Sequence, residues 1–153
     1  MRILASVLFS LLFLAGPSLA SEQVVRLPVE QVIVTTDSGD IAFATEIATS
    51  DETRARGLMF RRSMGEREAM LFHWSPPRVV SMWMRNTFIS LDMLFVTADG
   101  TVVHVHADTV PESLEVLSAG REVSAVMEVV AGTAAKLGIR PGSRLKHRFF
   151  NGS

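Results

Sequence analysis

Seven residues, Arg56, Trp83, Arg85, Asn86, Thr87, Asp92 and Glu128, could carry chemistry, and most of the charged and polar ones sit at the edges of apolar segments, which is unusual company for them. Glu128 is the sharpest case, because Val126 and Val130 flank it on one face of an expected strand. A carboxylate in that setting is paired, hydrogen-bonded, or forced to hold its proton. An arginine offers the planar fork that fits it, and Arg61 joins Arg56 and Arg85 as a candidate donor. One reading is a polar pocket for an anionic or hydroxyl-rich ligand. Trp83 would form its stacking wall, and Arg85 and Asn86 would donate hydrogen bonds. The other reading is a structural ion-pair network that joins the first helix to the sheet.

Other chemistry can be written on the same chain. Asp92 and Glu128 could work as acid and base on a glycosidic bond, as an envelope hydrolase would require, although no serine or cysteine nucleophile motif accompanies them. His104 and His106 alternate along a strand with Asp108 next on that face, an order that could place three ligands around one metal ion such as zinc. Met82 and Met84 share a face around Trp83, and thioethers are soft ligands for copper(I). Against both metal readings, alternating histidines also suit an exposed strand face, and methionine is a flexible core filler. No cofactor is expected. The stretches Arg61-Arg62 and Glu66-Arg67-Glu68 read as a solvated loop, and Pro111 to Gly120 as a long surface connection.

These side chains need elements to position them. Val32-Ile33-Val34, the Asp37-Ser38-Gly39-Asp40 turn and Ile41 to Ile47 predict a hairpin. Thr49 with Glu52 predicts a capped helix start, and the helix is expected to run to about Met59. Met70 to Trp74 reads as a buried strand closed by Pro76-Pro77, with Val79 to Arg85 as the next strand. Met93 to Thr97, the Asp99-Gly100 turn and Val102 to Ala107 form the clearest hairpin. Val123 to Val130 is a further strand, Thr133 to Leu137 a short helix stopped by Gly138, and Arg144 to Phe149 the closing strand. About eight short strands with two short helices predict a mainly β, single-domain β-sandwich or barrel.

The first 20 residues predict a secretory signal: Arg2, an apolar run from Ile3 to Ala15, a Gly16-Pro17 break and small residues up to Ala20. The main rival is an uncleaved membrane tether, but the run is shorter than the roughly 20 apolar residues of a spanning helix. Ser21 to about Gln31 reads as a loose leader before one β-rich domain over residues 32–150. Of 15 basic residues the signal takes only Arg2, leaving 14 against 16 acidic ones, a balance that does not suit a nucleic-acid binder. The chain has no cysteine, so packing and hydrogen bonds alone must hold it in an oxidising compartment. The expected setting is periplasmic or secreted, with no membrane association after cleavage.

Arg56-Gly57-Leu58-Met59-Phe60-Arg61 and Trp83-Met84-Arg85-Asn86-Thr87, continued by Leu91 to Phe95, Asp99-Gly100, Glu128 to Gly132 and Gly142, resemble the domain-of-unknown-function family 192. The resemblance spans about Val32 to Phe149 and implies a small, β-rich, jelly-roll-like domain; it implies no activity. Four positions depart from the family's usual residues: Arg85 for lysine, Ser90 for proline, Ala69 for glycine, and Ser143 for an acidic residue. The sequence reading is therefore an exported binding module for a small polar or glycan-like ligand, or for an envelope protein partner.

Overall fold

The computed structural model describes residues 24–150; the expected signal peptide lies outside them. Seven strands form one curled sheet, a half-barrel rather than two stacked sheets. They are β1 (Val29–Thr36), β2 (Gly39–Ala48), β3 (Glu68–Val79), β4 (Leu91–Val96), β5 (Val102–His106), β6 (Glu122–Val130) and β7 (Arg144–Lys146). The spatial order is β5-β4-β6-β3-β2-β1-β7. Two short helices, α1 (Asp51–Arg56) and α2 (Thr133–Leu137), complete the described fold. The mainly β class with two short helices is as expected. No helix among the described residues is long and apolar enough to cross a membrane.

Both hairpins form where Asp, Ser and Gly interrupt apolar alternation, β1–β2 at Gly39 and β4–β5 at Gly100. The second turn also helps to close the curl. The Leu145 amide donates to the Gly100 carbonyl at 2.7 Å, and Thr101 bridges Arg144, so β7 meets the mouth of the β4–β5 hairpin. Gly100 has φ +85°, and a Cβ there would lie 2.4 Å from the Leu145 carbonyl oxygen. Gly100→Ala is therefore expected to cost about 1–3 kcal/mol, read by denaturant unfolding; parent-like stability would show that β7 yields without loss.

The sheet buries both faces. Val32, Phe43, Leu71, Leu94 and Met127 fill one side beneath α2, and Met70, Phe72, Met84, Met93 and Phe95 fill the other beneath α1 and the loops. Strands covered on both faces carry near-continuous apolar runs, and every residue of β4 is buried.

Several elements differ from expectation. Ser50, not Thr49, caps α1: its hydroxyl accepts from the Thr53 amide at 3.1 Å while Thr53 Oγ1 accepts from the Ser50 amide at 3.0 Å. The helix stops at Arg56 because Gly57 (φ +47°) turns the chain, and a Cβ there would press on the Phe72 ring at 3.1 Å. β3 does not end before the prolines but runs on through the cis Ser75–Pro76 bond to Val79, with an irregularity between His73 and Arg78. The separate strand expected over Val79 to Arg85 does not form; Val79 ends β3, and the residues after it make one isolated bridge, Met82 to Leu117, with the expected surface connection. β3 lies parallel to β2, so α1 and the following loop form a crossover between them. The leader is tied down from Val25: the Leu27 amide donates to Glu46 Oε2 at 2.7 Å and the Val25 carbonyl accepts from Arg61 at 2.7 Å.

Candidate functional site

Strand pairing sets Glu46 of β2, Met70 of β3, Glu128 of β6 and Met93 of β4 in one row across the sheet, all on the face that α1 covers. Two buried carboxyls in one row face the same problem: leaving water costs several kcal/mol unless a cation compensates. They meet it differently.

Glu46 is fully served. Arg61, 3 % exposed, reaches it with both arms of its fork, Nη1 to Oε1 at 2.6 Å and Nη2 to Oε2 at 2.7 Å. Burial pushes the Glu46 carboxyl up, but the bonds from Arg61 and the Leu27 amide bring it below its usual value. Arg61 is therefore not part of a solvated loop. The structural ion-pair network lies on this carboxylate, whose role the sequence reading missed, and not on Glu128.

Glu128 is 3 % exposed and makes no hydrogen bond or ion pair with any described residue. Burial raises its carboxyl to about 8, and the nearby charge of Arg61 offsets this only in part. At neutral pH the group is therefore mostly protonated and uncharged, able to donate one hydrogen bond and accept others.

The carboxyl opens on a cleft of about 300 Å³, within the usual range of small-molecule sites. Phe72 and Trp74 of β3 and Met82 and Trp83 of the following segment supply apolar walls, and Arg54, Arg56, Arg78 and Arg85 bring four guanidinium groups to the lining. Arg54 is held in place by Asp51 Oδ1 at 2.6 Å and the His73 carbonyl at 2.8 Å. Arg78 lies 5.7 Å from the Trp74 ring centroid and Arg85 5.6 Å from that of Trp83. Neither Arg78 nor Arg85 pairs with a carboxylate among the described residues. Arg56 stacks over Phe60 at 4.6 Å. With Asp51 already paired and Glu128 protonated, the cleft carries net positive charge.

Of the seven expected site residues, the structure brings five to this cleft: Arg56, Trp83, Arg85, Thr87 and Glu128. Two lie elsewhere. Asn86 takes a left-handed conformation (φ 55°), which asparagine tolerates better than most residues, and its amide nitrogen faces the Met59 sulfur at 3.9 Å. Asp92 is fully buried opposite Val129, on the other face of the sheet from Glu128. There its oxygens accept from the Asp108 amide at 2.9 Å and from the Ala134 amide at 2.8 Å, capping α2, whose own N-cap is Gly132. The sheet thus separates Asp92 from Glu128, and the paired-carboxylate hydrolase loses its second group. Asp92 aligns with Val129 and not with Glu128, a register that alternation within either strand does not disclose.

The metal readings fare no better geometrically. The His104 and His106 rings meet edge to face at 4.4 Å and pack on Phe95. Burial, and then the neighbouring His106, lower the His104 pKa. His106 Nε2 lies 3.3 Å from the Ser118 carbonyl, and the Asp108 backbone bends away at φ 52°. No group of three or more histidine, cysteine, aspartate or glutamate side chains suited to a metal occurs among the described residues. Met84 is buried in the core and Met82 packs against the same cluster, both as side chains filling space. Trp74, Phe72, Arg54 and Arg78 were not anticipated as site residues. The one sequence signal for them was β3 itself, where Phe72 and Trp74 share the Met70 face.

Comparison with known proteins agrees with this architecture. A protein of Sinorhizobium meliloti 1021, provisionally named a transcription regulator, is 40% identical and superposes with a TM-score of 0.77, covering 80% of this chain and 95% of that one. A protein of unknown function from Novosphingobium aromaticivorans DSM 12444 is also 40% identical with a TM-score of 0.77, covering 79% of this chain and 86% of its own. No curated protein matches the chain. The DUF192 family, "Uncharacterized ACR", matches residues 32–147. The chain belongs to that domain-of-unknown-function family.

Proposed function

We propose that the protein is an exported binding module that holds a small polar ligand in the cleft over Glu128. The observation that carries this reading is a carboxyl almost wholly buried, without a partner, at a cleft lined by four arginines. A purely structural carboxyl is paired, as Glu46 is by Arg61; one left without a protein partner at a cleft is free to hydrogen-bond a ligand. Arg78 and Arg85 have donor groups to spare for an anionic group, and the exposed face of Trp83 can stack on a ring. A small polar molecule bearing an acid group fits these features, and the periplasm is the compartment that the expected signal peptide implies.

A thermal-shift screen of the purified protein against sugars, sugar acids, cell-wall fragments and metal ions tests the proposal. At about a hundred times its dissociation constant a ligand adds about 2.7 kcal/mol, a readable rise in Tm. Trp83 is 48% exposed, so Trp83→Ala is expected to stay folded yet lose the shift, as is Arg85→Ala. A shift that survives both substitutions, or none across the panel, would overturn the cleft as the binding site.

A further inference from the structure

Resting on that reading, we infer that the ligand is a zwitterion whose ammonium group reaches Glu128 while its anionic group remains among the arginines of the cleft. The protein has placed many cations near Glu128 and committed them elsewhere. Arg61 is taken up by Glu46, Arg54 by Asp51 and the His73 carbonyl, and Arg78, Arg85 and Arg56 lie over Trp74, Trp83 and Phe60. The Glu128 carboxyl, 3 % exposed, makes no hydrogen bond or ion pair with any described residue.

Its surroundings favour a cation over a polyhydroxylated group. The ring faces of Phe72, Trp74 and Trp83 attract an ammonium, and apart from Thr87 and the indole N–H groups these walls offer little to pair with a set of hydroxyls. Thr87 is the other buried polar side chain in the lining, and its Oγ1 is already engaged with the Arg85 carbonyl at 3.3 Å. A sugar ring pushed to this depth would leave several hydroxyls unpaired, whereas an ammonium has its charge met by one carboxylate and can turn its remaining N–H groups to the aromatic faces. A simple cation would be repelled by the guanidinium groups on the way in; a zwitterion presents its own anion to them and enters with no net charge.

Calorimetric titration with glycine, D- and L-alanine and L-lysine, each against its N-acetylated form, and with lactate and glucuronate tests the inference. The charged groups around the site are Glu46 and Arg61 beside Glu128, Asp51, Arg54 and Arg56 from α1 and its end, and Arg78 and Arg85 from the opposite wall. Glu128 must release its proton to pair with an ammonium. Affinity for the amines is therefore expected to rise from about pH 6 to about pH 8, by at most about tenfold per pH unit. N-acetylation is expected to weaken binding at least about tenfold, and Glu128→Gln to remove both the amine preference and the pH dependence. Equal binding of N-acetylated or hydroxy acids, or affinity for the amines that fails to rise between about pH 6 and about pH 8, would overturn the zwitterion while leaving the cleft in place, provided Trp83→Ala still abolishes that binding. No binding by any amine at millimolar concentration would also overturn it; the cleft would then stand or fall on the wider thermal-shift panel.

Discussion

Glu128→Gln is expected to make the protein more stable at pH 8 than its parent and to change little at pH 5. The sign follows from the protonation states. The Glu128 carboxyl titrates near 4.5 in the unfolded chain and at about 8 in the folded one, so between those values the folded protein holds a proton that the unfolded chain has released. Stability therefore falls as pH rises through that window, by at most about 1.4 kcal/mol per pH unit. Glutamine keeps the shape and carries no charge at any pH, so the variant loses this slope. Urea unfolding at several pH values between about 5 and 8 reads the difference directly. Parallel curves for parent and variant would mean that Glu128 is ionised and compensated in the fold, which would remove the basis of the proposed function.

The second large effect concerns the other buried carboxyl. Arg61→Met is expected to cost about 3–5 kcal/mol, because it strands Glu46 beneath the leader with only the partly exposed Arg26 and the Leu27 amide to serve it. Replacing the pair together, Glu46→Leu with Arg61→Met, is expected to recover most of the loss, since well-packed apolar side chains often match a buried ion pair. If the double variant were as unstable as the single one, the pair would be holding the leader rather than compensating charge. The Val25 carbonyl, which also accepts from Arg61, is where that would show. Glu46 has a pH sign opposite to that of Glu128. Its carboxyl sits below its usual value in the folded state, so its contribution is present above 4.5 and lost as pH falls through the folded value. The two carboxyls therefore pull in opposite directions, Glu46 weakening the fold as pH falls and Glu128 weakening it as pH rises.

Much of the sheet was legible because its signals are local. Asp37 to Asp40 and Asp99-Gly100 mark two-strand turns within a few residues of the strands they join, and the apolar run of β6 is unbroken except at Ser124 and Glu128. The parallel β2–β3 pairing was not legible, since no turn links those strands and the crossover between them reads as helix and loop. For the same reason Glu46 went unread. Its partner lies 15 residues away within the crossover loop, among residues whose local composition is that of a solvated surface. Asp92 was misplaced in a different way. Its burial was evident from its apolar neighbours, but which face it occupies depends on register with β6, and a shift of one residue reverses it. Glu128 was singled out correctly as an anomaly, yet the pairing that local composition suggested for it belongs to Glu46.

Apart from Glu128, every described residue lining the cleft lies between Asp51 and Thr87. One continuous span of chain, α1, the loop after it, β3 and the segment that follows, therefore supplies nearly the whole lining, while β1, β2, β4, β5 and β7 contribute none of it. Recognition and framework are inherited separately in such an arrangement. Relatives could exchange one ligand for another through changes confined to that span, and a graft of residues 49–87 between two members would be expected to carry specificity with it.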